Sequence, residues 1–361
     1  MVNGTLRSVW ANGREDCRHA EREIGKRMRR KSWSFASSIV FVAGLSLVLC
    51  SFTASSAVGQ APAQDFKSWI EDLHKQAASE GIGVSTLDSI LPSVERIPRV
   101  IELDRNQPEF KLTLQQYLNR VVPRSRVQKG KRKLQKNITL LTEIGRKYGV
   151  QPRFIVAFWG VETDFGRVDG GFPVIDALAT LAYDGRRSKF FRGELIRALR
   201  IIDQGHITYA NMKGSWAGAM GQFQFIPSSF ERFAVDHDGD GRRDIWRNRR
   251  DAFASAANYL SGSGWKVDET WGREIKLPTG FNEKLAGLKI RKSLAEWQSL
   301  GVRRLNGRNL PTRDLEASIV LPEGIKGRAY LVYDNFRTTL KWNRSNFYAI
   351  AIGTLADHIG R

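Results

Sequence analysis

The stretch from Gln151 to Gly166 constrains this chain more than any other, because it is an apolar helix that carries a carboxylate. Pro152 suits the first helical position, where the N–H it lacks is not needed. Ile155, Phe158, Trp159 and Glu162 then fall at i, i+3, i+4 and i+7, so Glu162 shares a face with three large apolar side chains. Gly166 ends the helix. Burying that face buries the carboxylate with it, and an ionised carboxylate there is costly without a partner. Desolvation raises its pKa, so it can hold a proton near neutral pH and donate it. Two readings stay open. Glu162 is an acid of the kind that protonates the leaving oxygen when a glycosidic bond breaks. Alternatively it is a structural Glu, paired with an arginine or reaching water at the helix end. Asp164 is not an obvious second carboxylate, since residues i and i+2 do not face each other on a helix.

The rest of the chain is mostly helical in texture. Phe66, Ile70, Leu73 and Ala77 share one face, and Leu112, Leu118 and Val121 suggest another helix. Arg124 to Lys133 is a basic run, either a solvated face or a polyanion contact. Ser188 to Gln204 is amphipathic, with Gly205 as its stop. Ser228 and Glu231 have capping-box spacing behind Pro227. Asp251 to Leu260 is Ala-rich and helical, and Phe347 to Ile359 closes the chain as a helix. Between about 264 and 335 Gly and Pro recur, with β-leaning pieces at Ser318–Leu321 and Ala329–Tyr333. The expected fold is mainly α (α+β), with a small β-containing insertion inside one catalytic domain, 60–361.

Lys plus Arg is 57 against 37 Asp plus Glu, a formal net charge of +20 over 361 residues. Such a surface favours polyanions: nucleic acid, anionic lipid or an acidic cell-wall polymer. Residues 1–59 hold nine Lys/Arg and four Asp/Glu, so +15 remains beyond them. They read as an N-terminal extension and signal peptide. Arg27, Arg29, Arg30 and Lys31 form the positive region, Ile39 to Cys50 the apolar region, and Ala54 to Gly59 the small-residue cleavage region. Retention as an uncleaved anchor is the alternative, although the apolar run is short of the roughly 20 residues a span needs. Met28 is an alternative start. Cys17 and Cys50 both precede the cleavage region, so the mature chain has no thiol for a disulfide, a nucleophile or a metal. The expected compartment is the periplasm, with or without membrane association. Export, together with the lack of zinc-ligand spacing or an RNA-binding aromatic motif, speaks against a nucleic-acid partner.

A second informative segment runs from Gly214 to Phe230. Its glycines allow a backbone to approach a ligand closely, or else mark a tightly packed helix–helix turn. Gln222 and Gln224 offer amide groups, and the aromatics offer faces for sugar rings.

Taken together, the motifs resemble the lytic murein transglycosylase B family of the lysozyme-like group. The matching residues are Val161–Gly166, Leu181–Arg187, Ser215–Ser229, Ala256–Leu260 and Trp342–Ser345, in the family's order from about Phe66 to Gly360. The resemblance implies a mainly α, lysozyme-like core. It implies cleavage of the bond between N-acetylmuramic acid and N-acetylglucosamine in peptidoglycan, with a 1,6-anhydro ring as product. Glu162 would be the sole catalytic acid and base, and no cofactor would be required for catalysis. Substrate-binding positions fall on Ser215, Gln224, Tyr259, Asn343 and Tyr348, with Tyr117 a further match. A tyrosine expected beside Asn343 is Trp342 here, which keeps a stacking face and loses a hydroxyl. The implied partners are peptidoglycan glycan strands and other cell-wall enzymes.

Asp236 to Asp244 matches the first nine positions of an EF-hand loop, glycine at position 6 included. Position 12 is Arg247 instead of Glu, and Asp251 matches the aspartate that closes a longer loop in some relatives. The candidate structural calcium ligands are Asp236, Asp238, Asp240, Arg242 and Asp251. The alternative is Asp-rich turn chemistry, with Asp251 as a helix N-cap. Two other functions compete with the lytic one. A hydrolytic lysozyme-type muramidase usually needs a second carboxylate. A non-catalytic peptidoglycan-binding protein sits poorly with an intact Glu162.

Overall fold

The computed structural model describes residues 65–106 and 112–361, and the N-terminal extension and signal segment lie outside the described residues. Helices α1 (Phe66–Ser79), α2 (Val84–Ile90), α3 (Pro98–Arg105), α4 (Leu114–Val121), α5 (Arg124–Lys136) and α6 (Ile138–Tyr148) lead to α7 (Pro152–Thr163). After β1 (Phe172–Pro173) come α8 (Val174–Tyr183) and α9 (Ser188–Asp203). Then follow β2 (Lys213–Gly214), α10 (Pro227–Phe233) and α11 (Arg249–Gly262).

Every residue of α7 from Phe154 to Thr163 is buried. A helix that is apolar all round has to lie inside its fold. The last helix of the chain, Asn346–Ile359, is packed along it, with α5, α6 and α11 on its other sides. At Gly160 a Cβ would come 2.7 Å from the Phe165 ring, so only glycine admits that ring there.

The remaining strands form a small antiparallel sheet. β3 (Gly272–Lys276), β4 (Lys292–Ser293), β5 (Arg303–Arg304), β6 (Glu316–Val320) and β7 (Ala329–Val332) lie in the order β4-β6-β7-β3-β5. Between β4 and β5 runs α12 (Leu294–Ser299). The sheet has an apolar cluster of its own, built on Ile275, Trp297, Val302, Ile319 and Leu331. β7 passes through Tyr333 into α13 (Asp334–Trp342), and α14 (Asn346–Ile359) follows. The sheet therefore anchors the helix that ends on Trp342. The molecule is mainly helical with a small sheet, as the sequence texture predicts. Among the described residues no helix is long and apolar enough to cross a membrane.

Several local expectations fail. Ser228 and Glu231 form no capping box, because Pro227 takes the first helical position and the N-cap is Ile226. Ser228 N donates instead to Glu194 Oε2 at 2.9 Å, and Glu231 pairs with Arg200 at 2.8 Å and Arg197 at 3.1 Å. Asp251 is not an N-cap either: Asn248 caps α11, and Asp251 is buried in its first turn. A capping box does exist at Thr113 and Gln116, so α4 starts after Leu112. α7 stops at Thr163, since Asp164 and Phe165 already take left-handed backbone at φ 51° and 63° before Gly166.

Candidate active site

The last turn of α7 delivers Glu162 into the core, where it is 5% exposed. Its Oε1 accepts two hydrogen bonds, one from the Tyr348 hydroxyl and one from the Trp342 indole N–H at 3.0 Å. Its Oε2 is buried with no partner. No arginine or lysine pairs with it among the described residues, so the reading of Glu162 as an Arg-paired structural carboxylate does not hold. Burial pushes its pKa up to about 7, against the opposing pull of the Tyr348 and Trp342 hydrogen bonds.

Tyr348 comes from α14, whose first turn is capped by Ser345. Burial, and then the charge of Glu162, push its hydroxyl well above the usual tyrosine range. It stays protonated and donates. Trp342 packs against Phe158 at 4.7 Å and Tyr259 at 4.5 Å between ring centroids. The Tyr259 hydroxyl donates to Lys341 O at 2.9 Å, and Lys341 Nζ donates to Ser263 O at 2.6 Å, which ties α13 to α11. The Tyr117 hydroxyl is buried without a partner. Its pKa is raised by burial first and by Glu162 second, which marks it as a neighbour of the acid.

The segment from Gly214 to Gln224 forms a wall beside this cluster, with Phe225 against Trp342 at 5.4 Å and Tyr259 at 5.8 Å. Ser215 is buried and its Oγ accepts from Ala219 N at 3.0 Å and Ala217 N at 3.3 Å, so it braces the loop. Gln224 has left-handed backbone at φ 54°, donates to Asp169 O and Gly221 O at 3.0 Å each, and leaves a buried Oε1 unpaired. Asn343 is buried and its Oδ1 accepts from Ser345 N at 3.1 Å. Glu162, Tyr348 and Tyr259 thus converge around Trp342, while Ser215 and Gln224 shape the neighbouring loop. The glycines of that loop meet protein: a Cβ at Gly218 would lie 2.5 Å from Leu178, and one at Gly221 2.7 Å from Ile245 O. They serve tight packing.

Sequence reasoning named two further residues without the part they play. Trp342 is a donor to the acid as well as a ring, and it lies 180 residues from Glu162. Gln222 is a joint: its N donates to Ile245 O at 2.9 Å, its Nε2 donates to Trp246 O at 3.1 Å, and its O accepts from Thr163 Oγ1 at 2.8 Å. Thr163 Oγ1 also accepts from Gly166 N at 2.9 Å. Thr163 follows the acid directly. No spacing rule signals such a joint.

Asp164 is held by Arg167 at 2.6 Å, Lys129 at 3.0 Å and Arg126 at 3.9 Å. Burial raises its pKa, but the hydrogen bonds from Arg167 and Lys129 outweigh this and leave it below the ordinary carboxylate value. It is an ionised structural partner of α5.

The acidic loop brings Asp236, Asp238, Asp240 and Asp251 together, with ligand oxygens within 4.8 Å of one another. Arg242 is exposed, and could contribute only its backbone carbonyl, as position 7 of such loops does. Asp251 accepts from His237 N and Asp244 N at 2.8 Å each. Its pKa is raised by burial first and then by the charges of Asp238 and Asp236. Clustered hard oxygen donors that repel one another suit calcium.

Comparison with known proteins agrees with the geometry. The family described as "Transglycosylase SLT domain" matches residues 65–357. Membrane-bound lytic murein transglycosylase B of Escherichia coli (strain K12) is 31% identical over 309 residues, covering 80% of this chain and 81% of that protein. The crystal structure of SltB3 from Pseudomonas aeruginosa in complex with NAG-anhNAM-pentapeptide superposes with a TM-score of 0.80 at 45% identity, covering 82% and 80% of the two chains. The Escherichia coli lytic transglycosylase Slt35 in complex with calcium gives a TM-score of 0.69 at 31% identity, covering 82% and 92%. On the extent of these matches, the chain belongs to the transglycosylase SLT family.

Proposed function

We propose that this protein is an exported lytic transglycosylase that cuts peptidoglycan strands between N-acetylmuramic acid and N-acetylglucosamine, with Glu162 as acid and then base. The observation that carries the reading is the state of Glu162: buried, with a pKa of about 7, Oε1 occupied by two donors and Oε2 without a partner. Oε2 is the atom left to hold the transferable proton. It gives that proton to the glucosamine O4 as the bond from muramyl C1 breaks. The muramyl C6 hydroxyl closes on C1, and the carboxylate takes the hydroxyl proton, so the acid is restored and no water is consumed. One carboxyl group suffices for both steps. A hydrolase would need a second one to activate water or to form a covalent intermediate, and Asp164 is tied up with Arg167 and Lys129.

Glu162→Gln keeps the size but has no proton to give. Turnover of murein should fall by at least ~100-fold, the usual scale for a lost general acid, with binding retained. Products of the wild type should carry an anhydromuramyl end, about 18 Da lighter than a hydrolysed end because no water is added. Reducing-end muramic acid would make the enzyme a hydrolase, and full activity in Glu162→Gln would remove the assignment of the acid.

The loop carboxylates of Asp236, Asp238, Asp240 and Asp251 would hold a calcium ion with a structural task, relieving their mutual repulsion and taking no part in the reaction. The Escherichia coli relative is membrane-bound by name. The basic, apolar and small-residue regions of residues 27–59 support export to the periplasm. Sequencing of envelope protein should find an N-terminus between about residues 55 and 65, following that signal layout, and a cytoplasmic chain starting at Met1 would exclude it. Peptidoglycan strands are the partner this chemistry requires, and other cell-wall enzymes are further candidates.

A further inference from the structure

Trp342 meets Glu162 through the one polar atom of its side chain. The indole N–H can donate and cannot accept. A tyrosine hydroxyl does both, so Tyr348 alone could turn and accept a proton from a protonated Glu162. Trp342 cannot turn in this way. Its ring is wedged between Phe158 at 4.7 Å and Tyr259 at 4.5 Å, with Phe225 at 5.4 Å. The residue before it is fixed twice, through Lys341 O to Tyr259 and through Lys341 Nζ to Ser263 O. Oε1 of Glu162 therefore faces a donor that is rigid and of fixed polarity whether the acid is charged or neutral.

We propose that Trp342 is a positioning residue for the acid: its indole N–H reserves Oε1 as an acceptor and so confines the transferable proton to Oε2. This rests on the reading of Glu162 as the acid and base. The consequence has two parts. The proton always sits on the oxygen that lacks a protein partner, so no rotation of the carboxyl group precedes its transfer. The same N–H also favours the carboxylate that must form once the proton has left.

The test is Trp342→Phe, which keeps a ring in the aromatic cluster and removes the donor. Glu162 then loses a stabiliser of its charged form, so the alkaline limb of the kcat/KM profile on murein strands should move up by about one pH unit, the scale of one hydrogen bond to a charged group. At neutral pH kcat should fall roughly tenfold with KM little changed, because the lost contact acts on the reacting group. An unmoved alkaline limb with a raised KM would make Trp342 only a platform for sugar and overturn the proposal. A second measurement needs no folded variant at position 342. In the wild type the Trp342 indole N–H resonance should titrate with a midpoint near the Glu162 value of about 7. The titration should vanish in Glu162→Gln. An indole resonance that ignores pH across that range also overturns the proposal. Failure of the acid assignment looks different: there Glu162→Gln itself stays active.

Discussion

A carboxyl group set in an apolar helix face binds its proton more tightly in the folded chain than in the unfolded one, and for Glu162 the two values are about 7 and the ordinary 4.5. The folded pKa is raised. Its contribution to stability is therefore full below about pH 4.5 and is lost as pH rises toward 7. The loss is about 3 kcal/mol, from 1.36 kcal/mol for each pH unit. Glu162→Gln carries no such dependence. Thermal melts should show the variant gaining on the wild type from pH 5 to pH 8; Glu194, also raised by burial, is present in both proteins and cancels from the gap. A gap constant with pH would mean that Glu162 is ionised throughout. Helical periodicity made this residue legible, because three large apolar side chains fix the face it shares. Trp342 was legible only as a ring in place of a tyrosine. Its role as donor depends on how α13 ends against α7, which no local pattern records. Gln222 and Gln224 looked alike as amides; the structure turns one into a joint and leaves the other with an unpaired buried oxygen.

At the scale of elements, the acidic loop was readable because its aspartates alternate at fixed spacing, whereas Asp251 was reached only through the resemblance to relatives with a longer loop. The cap of α11 was misread, since Asn and Asp both favour helix starts and the sequence does not say which of Asn248 and Asp251 comes to lie at the cap. The capping spacing at Ser228 failed for a similar reason: a buried Glu194 from α9 reached the helix start first. Calcium at millimolar concentration should raise the melting temperature by mass action, since it binds the folded loop. Joint replacement of Asp238 and Asp240 by Ala should abolish that rise while leaving the metal-free melt almost unchanged. Asp251→Ala should differ, costing about 1–3 kcal/mol even without metal, because His237 N and Asp244 N lose their buried acceptor. A melt indifferent to calcium in the wild type would leave the aspartates as turn formers only.

For the whole molecule, the class of fold followed from texture: long amphipathic and apolar helices, then a stretch where Gly and Pro recur. The strand order did not. β3 pairs with β7 and with β5, and nothing within either strand encodes neighbours so far away in sequence. Nor did the net charge of +20 choose a partner, since any polyanion satisfies it; peptidoglycan entered with the family resemblance, carried by motifs spread from Val161 to Ser345. Gln222 links these scales. It is hydrogen-bonded at once to the residue after the acid and to Ile245 and Trp246, while Trp246 N is held by Asp244 and Asp244 N by Asp251. A loop tied in this way cannot open alone. If it frays, the end of α7 frays with it, so the surface loop and the buried acid belong to one cooperative unit. In amide exchange, Gly166, Gln222, Asp244 and Trp246 should lose protection together, at one opening free energy, and slow together when calcium is added. In a cell-wall cutter built like this, an opening that starts at the surface loop would reach the acid's own helix turn and disarm it.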